Sequence, residues 1–498
     1  MNPNFDKAAD SIGPSMSMSP YYKYAPAPDG CENLELYVPG GYHPVLIGDK
    51  FSNGRYEVVH KLGSGGSATV WLARDAETTR LVALKVLSAV SSDRNREFQM
   101  HQYLQENCKE DFDATRVVTV LDHFHVQGPN GNHLCLVFEL MGPTVSALGI
   151  WGNEYKIRPE KLRVLVRQLI EGLIHLHKVG LSLSDMSANN IVFTINEIDS
   201  WTNAQIYATF GEPEAFPVHR AISRNPRNPP DPEEYRKMCA VDEHAPELVY
   251  RSVELLQGPG VADLVQPQLR FIDLGEAFLI KEPPRCDEIG INDAYAAPEI
   301  SFEEYPSSGV DIWSLACILF ELRAGEPLFC NSTEMEPGVL WAMIDVLGPI
   351  PIEWNQAIRA ETEAQYEAEG IPPIDEEDEE RTLAQFKQPT LKERMAKVGK
   401  LKKWHFMTLE QRQKRYAEIF GTINEEMIDC FNHPPTRFSR AESRQFKQLL
   451  TQMMRFKPAD RISMEEVLFH PWVRKEIKAK KTRPWLVRYD PGRDWSDR

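Results

Sequence analysis

The chain has 498 residues, 42% of them hydrophobic, which is enough for two lobes, a sizeable core and, by length alone, roughly three domains' worth of chain. Its 73 acidic residues against 56 Lys and Arg leave a net charge of -17, which argues against non-specific binding to nucleic acid or an anionic membrane and favours basic partners. The eight cysteines (Cys31, Cys108, Cys135, Cys239, Cys286, Cys317, Cys330 and Cys430) form no C-x-x-C pair or metal spacing, and the longest apolar run, from Ile312, is about half a membrane span, so a soluble protein of a reduced intracellular compartment is expected.

In chain order, residues 1–31 are rich in Ser, Pro, Ala and Met without periodicity and are expected to be a disordered arm. Residues 32–55 carry apolar and aromatic residues around a Gly-Gly turn and are expected to pack on the first lobe. Residues 56–138 hold short β-rich runs (Y-E-V-V, T-V-W-L-A, L-V-A-L-K-V-L, V-V-T-V-L, L-C-L-V-F-E) and one helical stretch around Glu97, which predicts a small antiparallel sheet with one helix. From 139 to about 475 the pattern is mostly helical, with i, i+3, i+4 apolar spacing in Leu162–Leu176 and Val310–Leu322. The expected class is therefore α+β and bilobal. Two insertions are predicted, at about 194–265, where S-R-N-P-R-N-P-P is loop chemistry, and at about 330–440, with the acidic run Ile374–Glu380 and a basic run after it. Residues 476–498 form a tail.

The chemistry-bearing motifs follow the same order. Lys61 to Val70 reads K-L-G-S-G-G-S-A-T-V between β-rich runs, and its glycines allow backbone amides to approach phosphates, although a plain hairpin turn has the same composition. V-A-L-K places Lys85 at a strand end, where an ammonium can neutralise phosphate oxygens, and Glu97 on the next helix is placed to pair with it, with Glu106 as the other candidate. S-L-S-D-M-S-A-N-N-I-V-F sets Asp185 and Asn190 five residues apart before an apolar strand, and F-I-D-L-G supplies Asp273, a hard oxygen donor suited to magnesium. Ala297-Pro298-Glu299 closes a stretch from Asp273 that contains no serine or threonine. Asp311 then opens an apolar helix, and Arg461 stands in R-F-K-P-A-D-R-I-S before H-P-W.

This order of motifs, from Arg55 to Trp472, resembles the eukaryotic protein kinases. Within them, G-G-Y-H-P-V-L-I-G-D-K-F, T-V-W-L-A-R-D, G-P-N-G-N-H-L-C-L-V-F-E-L-M-G and V-L-G-P-I-P are similar to the serine/arginine-rich protein kinases of fungal type. The resemblance implies an ATP- and magnesium-dependent serine/threonine kinase acting on Arg-Ser repeats of splicing-type proteins and active without activation-loop phosphorylation. Asp185 would be the base, Lys85 and Glu97 the phosphate-binding pair, and Asn190 and Asp273 the metal ligands. Leu62, Gly63, Gly65, Val70, Ala83, Lys85, Phe138 (the gatekeeper), Glu139 and Met141 would hold the nucleotide. Asp311 would cap the catalytic loop, Glu299 would pair with Arg461, and Asp345 would lie in an acidic docking groove whose second acidic position is near Gly338 here. Arg/Ser-rich proteins are the implied partners, with no direct nucleic acid or membrane binding, a monomeric state, and residence in cytoplasm and nucleus.

Five departures qualify that pattern. Ser184 stands where an arginine would receive an activation-loop phosphate, Ser187 where a lysine normally contacts the γ-phosphate, Asn292 where a threonine steadies it, and Leu183 where the loop has histidine; Ala296 also replaces an arginine of the substrate-facing turn. Loss of the lysine could cost on the order of 2–4 kcal/mol of transition-state stabilisation. A catalytically weak or inactive kinase-fold protein that holds basic peptides is accordingly the alternative expectation.

Overall fold

The computed structural model describes residues 23–149, 155–157, 159–221, 241–253, 255, 261–329, 339–357, 389–398, 438–474 and 486–488. The chain divides into two compact units, the first comprising residues 1–95, 120–140 and 198–254, the second comprising 96–119, 141–197 and 255–498.

The first unit is built on a six-stranded antiparallel sheet of β1 (Lys50–Phe51), β2 (Tyr56–Gly65), β3 (Ala68–Asp75), β4 (Leu81–Leu87), β5 (Val120–Gly128) and β6 (Gly131–Glu139), in the order β1-β2-β3-β4-β6-β5. Alternation in the strands separates two faces. Trp71, Ala73, Val82, Leu84, Val86, Cys135 and Val137 point to one side and form a buried core with Val45, Phe51 and Tyr250. Cross-strand pairing puts Val70 opposite Lys85, and Ala83 opposite Phe138, on the other side.

What covers the apolar face is not part of the sheet. Residues 23–48 and the first insertion pack there together: Tyr24, Leu34, Tyr37 and Tyr42 share a buried cluster with Val218, Ala245 and Val249. Tyr24 bridges Arg220, and β10 (Ala215–Pro217) pairs with β11 (Leu248–Tyr250). Residues 23–31, expected to be disordered, are thus ordered from Lys23 onward, because Tyr24 buries its ring and the backbone amides of Lys23 and Tyr24 donate to the Glu35 carboxylate. The insertion, read from its Pro/Asn-rich middle as loop, is at its two ends a structural layer of the small unit; the middle lies outside the described residues.

The second unit is mainly helical. Helix α1 (Ala89–Arg94) closes the first unit, and α2 (Arg96–Asn107), expected in the small lobe, instead packs in the second. Its Leu104 is fully buried in the large core, and the Tyr103 hydroxyl donates to the Val179 carbonyl. That core is organised by α3 (Pro159–Lys178) and α5 (Gly309–Ala324), the latter buried nearly all round and ended by Gly325 in the left-handed conformation at φ 75°. Helix α4 (Asn203–Phe210) belongs to the insertion in the first unit, while α6 (Val339–Leu347) and α7 (Arg440–Met453) complete the large one. Glu442 of α7 receives both Arg323 (2.9 and 3.0 Å) and Arg163 (3.4 Å), tying three helices through one buried carboxylate. The acidic run Ile374–Glu380 and Gly338 lie outside the described residues, as does most of the second insertion and tail.

Candidate active site

In the second unit, the site is placed by two short ladders. β8 (Leu181–Ser182) pairs with β13 (Phe278–Leu279), and β9 (Ile191–Ile195) pairs with β12 (Val265–Phe271). Because Ile191 lies opposite Phe271, the residues just outside that hairpin, Asn190 and Asp273, leave it at the same end; Ile272 N also donates to Asn190 O at 3.0 Å. The register therefore assembles an amide and a carboxylate from segments about 80 residues apart.

Asp185 sits in the loop after β8. Asp311, at the first turn of α5, fastens that loop: its carboxylate accepts from Leu183 N (3.1 Å), Ser184 N (2.9 Å), Ser182 Oγ (2.8 Å) and His177 Nε2 (2.8 Å). This holds Ser184 at φ 65°, and Asp273 takes φ 63°. Left-handed backbone at a non-glycine costs about 1–2 kcal/mol per residue, and the surrounding bonds must over-determine it.

Both Asp185 oxygens are engaged. Asn190 Nδ2 donates to Oδ2 at 3.1 Å and to the Asp185 carbonyl at 2.9 Å, while Asn292 N donates to Oδ1 at 3.3 Å. Burial pushes the Asp185 carboxyl up, the Asn292 amide pulls it down, and the negative charges of Asp273 and Glu276 push it up further. A half-buried carboxylate whose proton affinity is raised is the kind of group that can accept a proton in a reaction. With its NH2 given to Asp185, Asn190 presents its oxygen end elsewhere; that oxygen and the Asp273 carboxylate are hard donors that fit magnesium.

In the first unit, Lys85 lies in β4, nearly buried, on the same face as Val70, Ala83 and Phe138. Leu62, Val70, Ala83, Phe138 and Glu139 are half-buried, as is Met141 of the second unit. In the glycine-rich hairpin, where Gly65 opposes Ala68, a Cβ added at Gly63, Gly65 or Gly66 would meet nothing within 4 Å, and none of the three has positive φ. Neither crowding nor backbone conformation within the chain requires glycine there, so the reason lies in what approaches from outside, which fits a phosphate cradle. Glu97 is buried on α2 in the second unit.

The structural pairs of the site are direct. Arg461 donates to both Glu299 oxygens (2.6 and 2.5 Å) and also to the carbonyls of Gly309, Arg455 and Phe456. Sequence reasoning did not identify Tyr295, whose hydroxyl donates to Glu321 at 2.5 Å while its carbonyl accepts from Ser314, or Arg96, which donates to Ala277 O at 3.2 Å. Ser187, in the usual lysine position, is buried, and Asp345 is half-buried on α6.

A model of the protein kinase domain matches residues 56–200 and 262–473, interrupted where the first insertion lies. The chain belongs to the protein kinase family. Among its relatives, a serine/threonine-protein kinase SRPK of Physarum polycephalum is 29% identical over 335 residues, 64% of this chain and 73% of the other. Protein kinase dsk1 of Schizosaccharomyces pombe is 34% identical over 186 residues, 36% of this chain and 34% of that one. SRSF protein kinase 3 of Homo sapiens is 34% identical over 204 residues, 38% and 35% of the two chains, so the match spans about a third of the length of both latter relatives.

Proposed function

We propose that this chain is a serine/threonine kinase that transfers the γ-phosphate of MgATP to serines in Arg/Ser-rich proteins, and that it does so without activation-segment phosphorylation. The observation that carries the reading is the Asp185–Asn190–Asp273 arrangement, a half-buried base hydrogen-bonded to one oxygen-donor residue and raised by the negative charge of another. Asp185 would accept the serine hydroxyl proton, and Lys85 would bind phosphate oxygens. Asn190 and Asp273 would hold the magnesium, which supplies charge neutralisation of the phosphates. The relatives, an SRPK and an SRSF protein kinase, support the Arg/Ser-rich substrate class, as does the net charge of -17. Ser187 in place of a lysine favours a lower rate rather than a lost one, since the other five polar groups, Lys85, Glu97, Asp185, Asn190 and Asp273, are present.

The test is phosphate transfer to an Arg-Ser repeat peptide by the wild type and by Asp185→Ala. The expected result is transfer by the wild type at least a hundredfold above the variant. Equal transfer, with MgATP and peptide still bound, establishes the binding-protein reading instead.

A further inference from the structure

β2 carries the glycine-rich loop, and past its short pairing with β1 its outer edge has no strand beside it among the described residues. An open edge leaves carbonyls unpaired. Here the extension and the insertion take them up in turn: Gly48 N donates to Val58 O (2.8 Å), the Tyr207 hydroxyl to Val59 O (3.2 Å), Val253 N to Lys61 O (2.9 Å) and the Tyr42 hydroxyl to Gly65 O. The Lys61 side chain, fully buried, pairs with Glu32, which also accepts from the Tyr37 hydroxyl at 2.7 Å.

Tyr42 is the last of these fasteners, at the loop itself. Gly65 to Ser67 are exposed, yet the hydroxyl that holds the Gly65 carbonyl belongs to a nearly fully buried ring. Its delivery is defined by the Gly40-Gly41 turn, where a Cβ at Gly41 would lie 1.9 Å from the Leu36 carbonyl oxygen. Tyr42 N donates to Leu36 O, Asn130 Nδ2 donates to Tyr42 O at 2.6 Å, and Tyr37 packs edge-on against the ring at 5.6 Å. Burial, and then Glu32, push the Tyr42 hydroxyl up to about 12, so it stays a donor at neutral pH. On the far side of the turn Ser88 N donates to Ser67 O at 2.8 Å.

We infer that Tyr42 is a positioning residue for the nucleotide, its hydroxyl presetting the glycine-rich loop in a phosphate-binding shape. The inference rests on the kinase reading above. A loop held in place beforehand has less conformational freedom to lose when phosphates bind, so the bond contributes to nucleotide affinity and not to the transfer step.

The experiment measures the affinity of the full chain for an N-methylanthraniloyl-labelled ADP, with KM for ATP and for peptide, in the wild type, Tyr42→Phe and Tyr250→Phe. The last removes a hydroxyl beneath the same sheet whose one hydrogen bond among the described residues is accepted from Ile47 N, away from the loop. Tyr42→Phe is expected to weaken nucleotide binding and raise KM for ATP about fivefold, the factor given by one hydrogen bond of roughly 1 kcal/mol. Its kcat and peptide KM should match the wild type, as should those of Tyr250→Phe, while the melting temperature falls by no more than about 1–2 °C, the worth of one such bond in a chain of this size. Unchanged affinity in Tyr42→Phe, an equal loss in Tyr250→Phe, or a loss accompanied by a lowered kcat or a raised peptide KM overturns the role. A wild type that binds no nucleotide overturns the kinase reading itself.

Discussion

Glu321→Gln is expected to stabilise the protein at pH 8 and to leave it nearly unchanged at pH 4. Glu321 is nearly fully buried in α5, and burial pushes its carboxyl from 4.5 up to about 7, against the opposing pull of the Tyr295 hydroxyl bonded to it. The folded value lies above the unfolded one, so the residue's contribution is fully present below about 4.5 and is lost as pH rises through about 7. A shift of this size corresponds to about 3 kcal/mol. Glutamine is neutral at every pH, has the same length, and can accept from Tyr295. The difference in denaturation midpoint between variant and wild type, measured from pH 4 to 8 and converted to free energy, should therefore grow by about 3 kcal/mol, mostly between pH 5 and 7. Other titrating groups are common to both proteins and cancel in the difference. A difference that does not vary with pH would show that the carboxyl titrates normally, and the argument from burial would fail.

Two further outcomes follow from pairs in the second unit. Glu299→Gln leaves the buried Arg461 charge with neutral partners and should cost about 3–5 kcal/mol in denaturant unfolding; a loss below about 1 kcal/mol would mean the three carbonyls alone satisfy the guanidinium. Arg96→Ala removes the charged donor to Ala277 O, worth about 1.5 kcal/mol, and should speed amide exchange in residues 277–290 about tenfold while β4 exchanges as before. Equal rates would remove Arg96 from the segment's support.

Motif order made the α+β class and the kinase family legible, since the glycine-rich run, Lys85, Asp185, Asn190, Asp273 and the Ala-Pro-Glu turn each occupy one short segment with fixed internal spacing. Pairs distant in the chain were readable only where the motif named both ends, as with Glu299 and Arg461. The outer layer of the first unit was not readable. Tyr24 follows a Ser/Pro/Met-rich arm and Tyr250 ends a three-residue apolar run, too short for a period of 2 or 3.6 to mark a buried face; Tyr24 is buried with Val218 and Val249, and Tyr250 with Trp71 and Val82, partners more than a hundred residues away in the chain. Glu97 belonged to an amphipathic stretch that could be assigned as a helix, but its allegiance to the larger unit comes from Leu104 in a core built mostly of later residues.

The activation segment has no serine or threonine between Asp273 and Glu299, and the reason this need not leave it slack can be followed bond by bond. At its start Gly275 N donates to the Asp273 carboxylate and Gly290 N donates to Glu276, closing the middle of the segment back on its beginning. Arg96 holds Ala277, and Phe278 and Leu279 pair with β8, the strand leading into Asp185. At its end Asn292 N reaches Asp185, while Tyr295 is held by Glu321 through its hydroxyl and by Ser314 through its carbonyl. Where a phosphate-dependent kinase needs an arginine, Ser184 is fully buried under the Asp311 cap, and its hydroxyl finds no hydrogen-bond partner among the described residues. No serine or threonine of the segment can take a phosphate and Ser184 offers no positive charge to receive one, while the bonds above join the start, middle and end of the segment to the rest of the second unit.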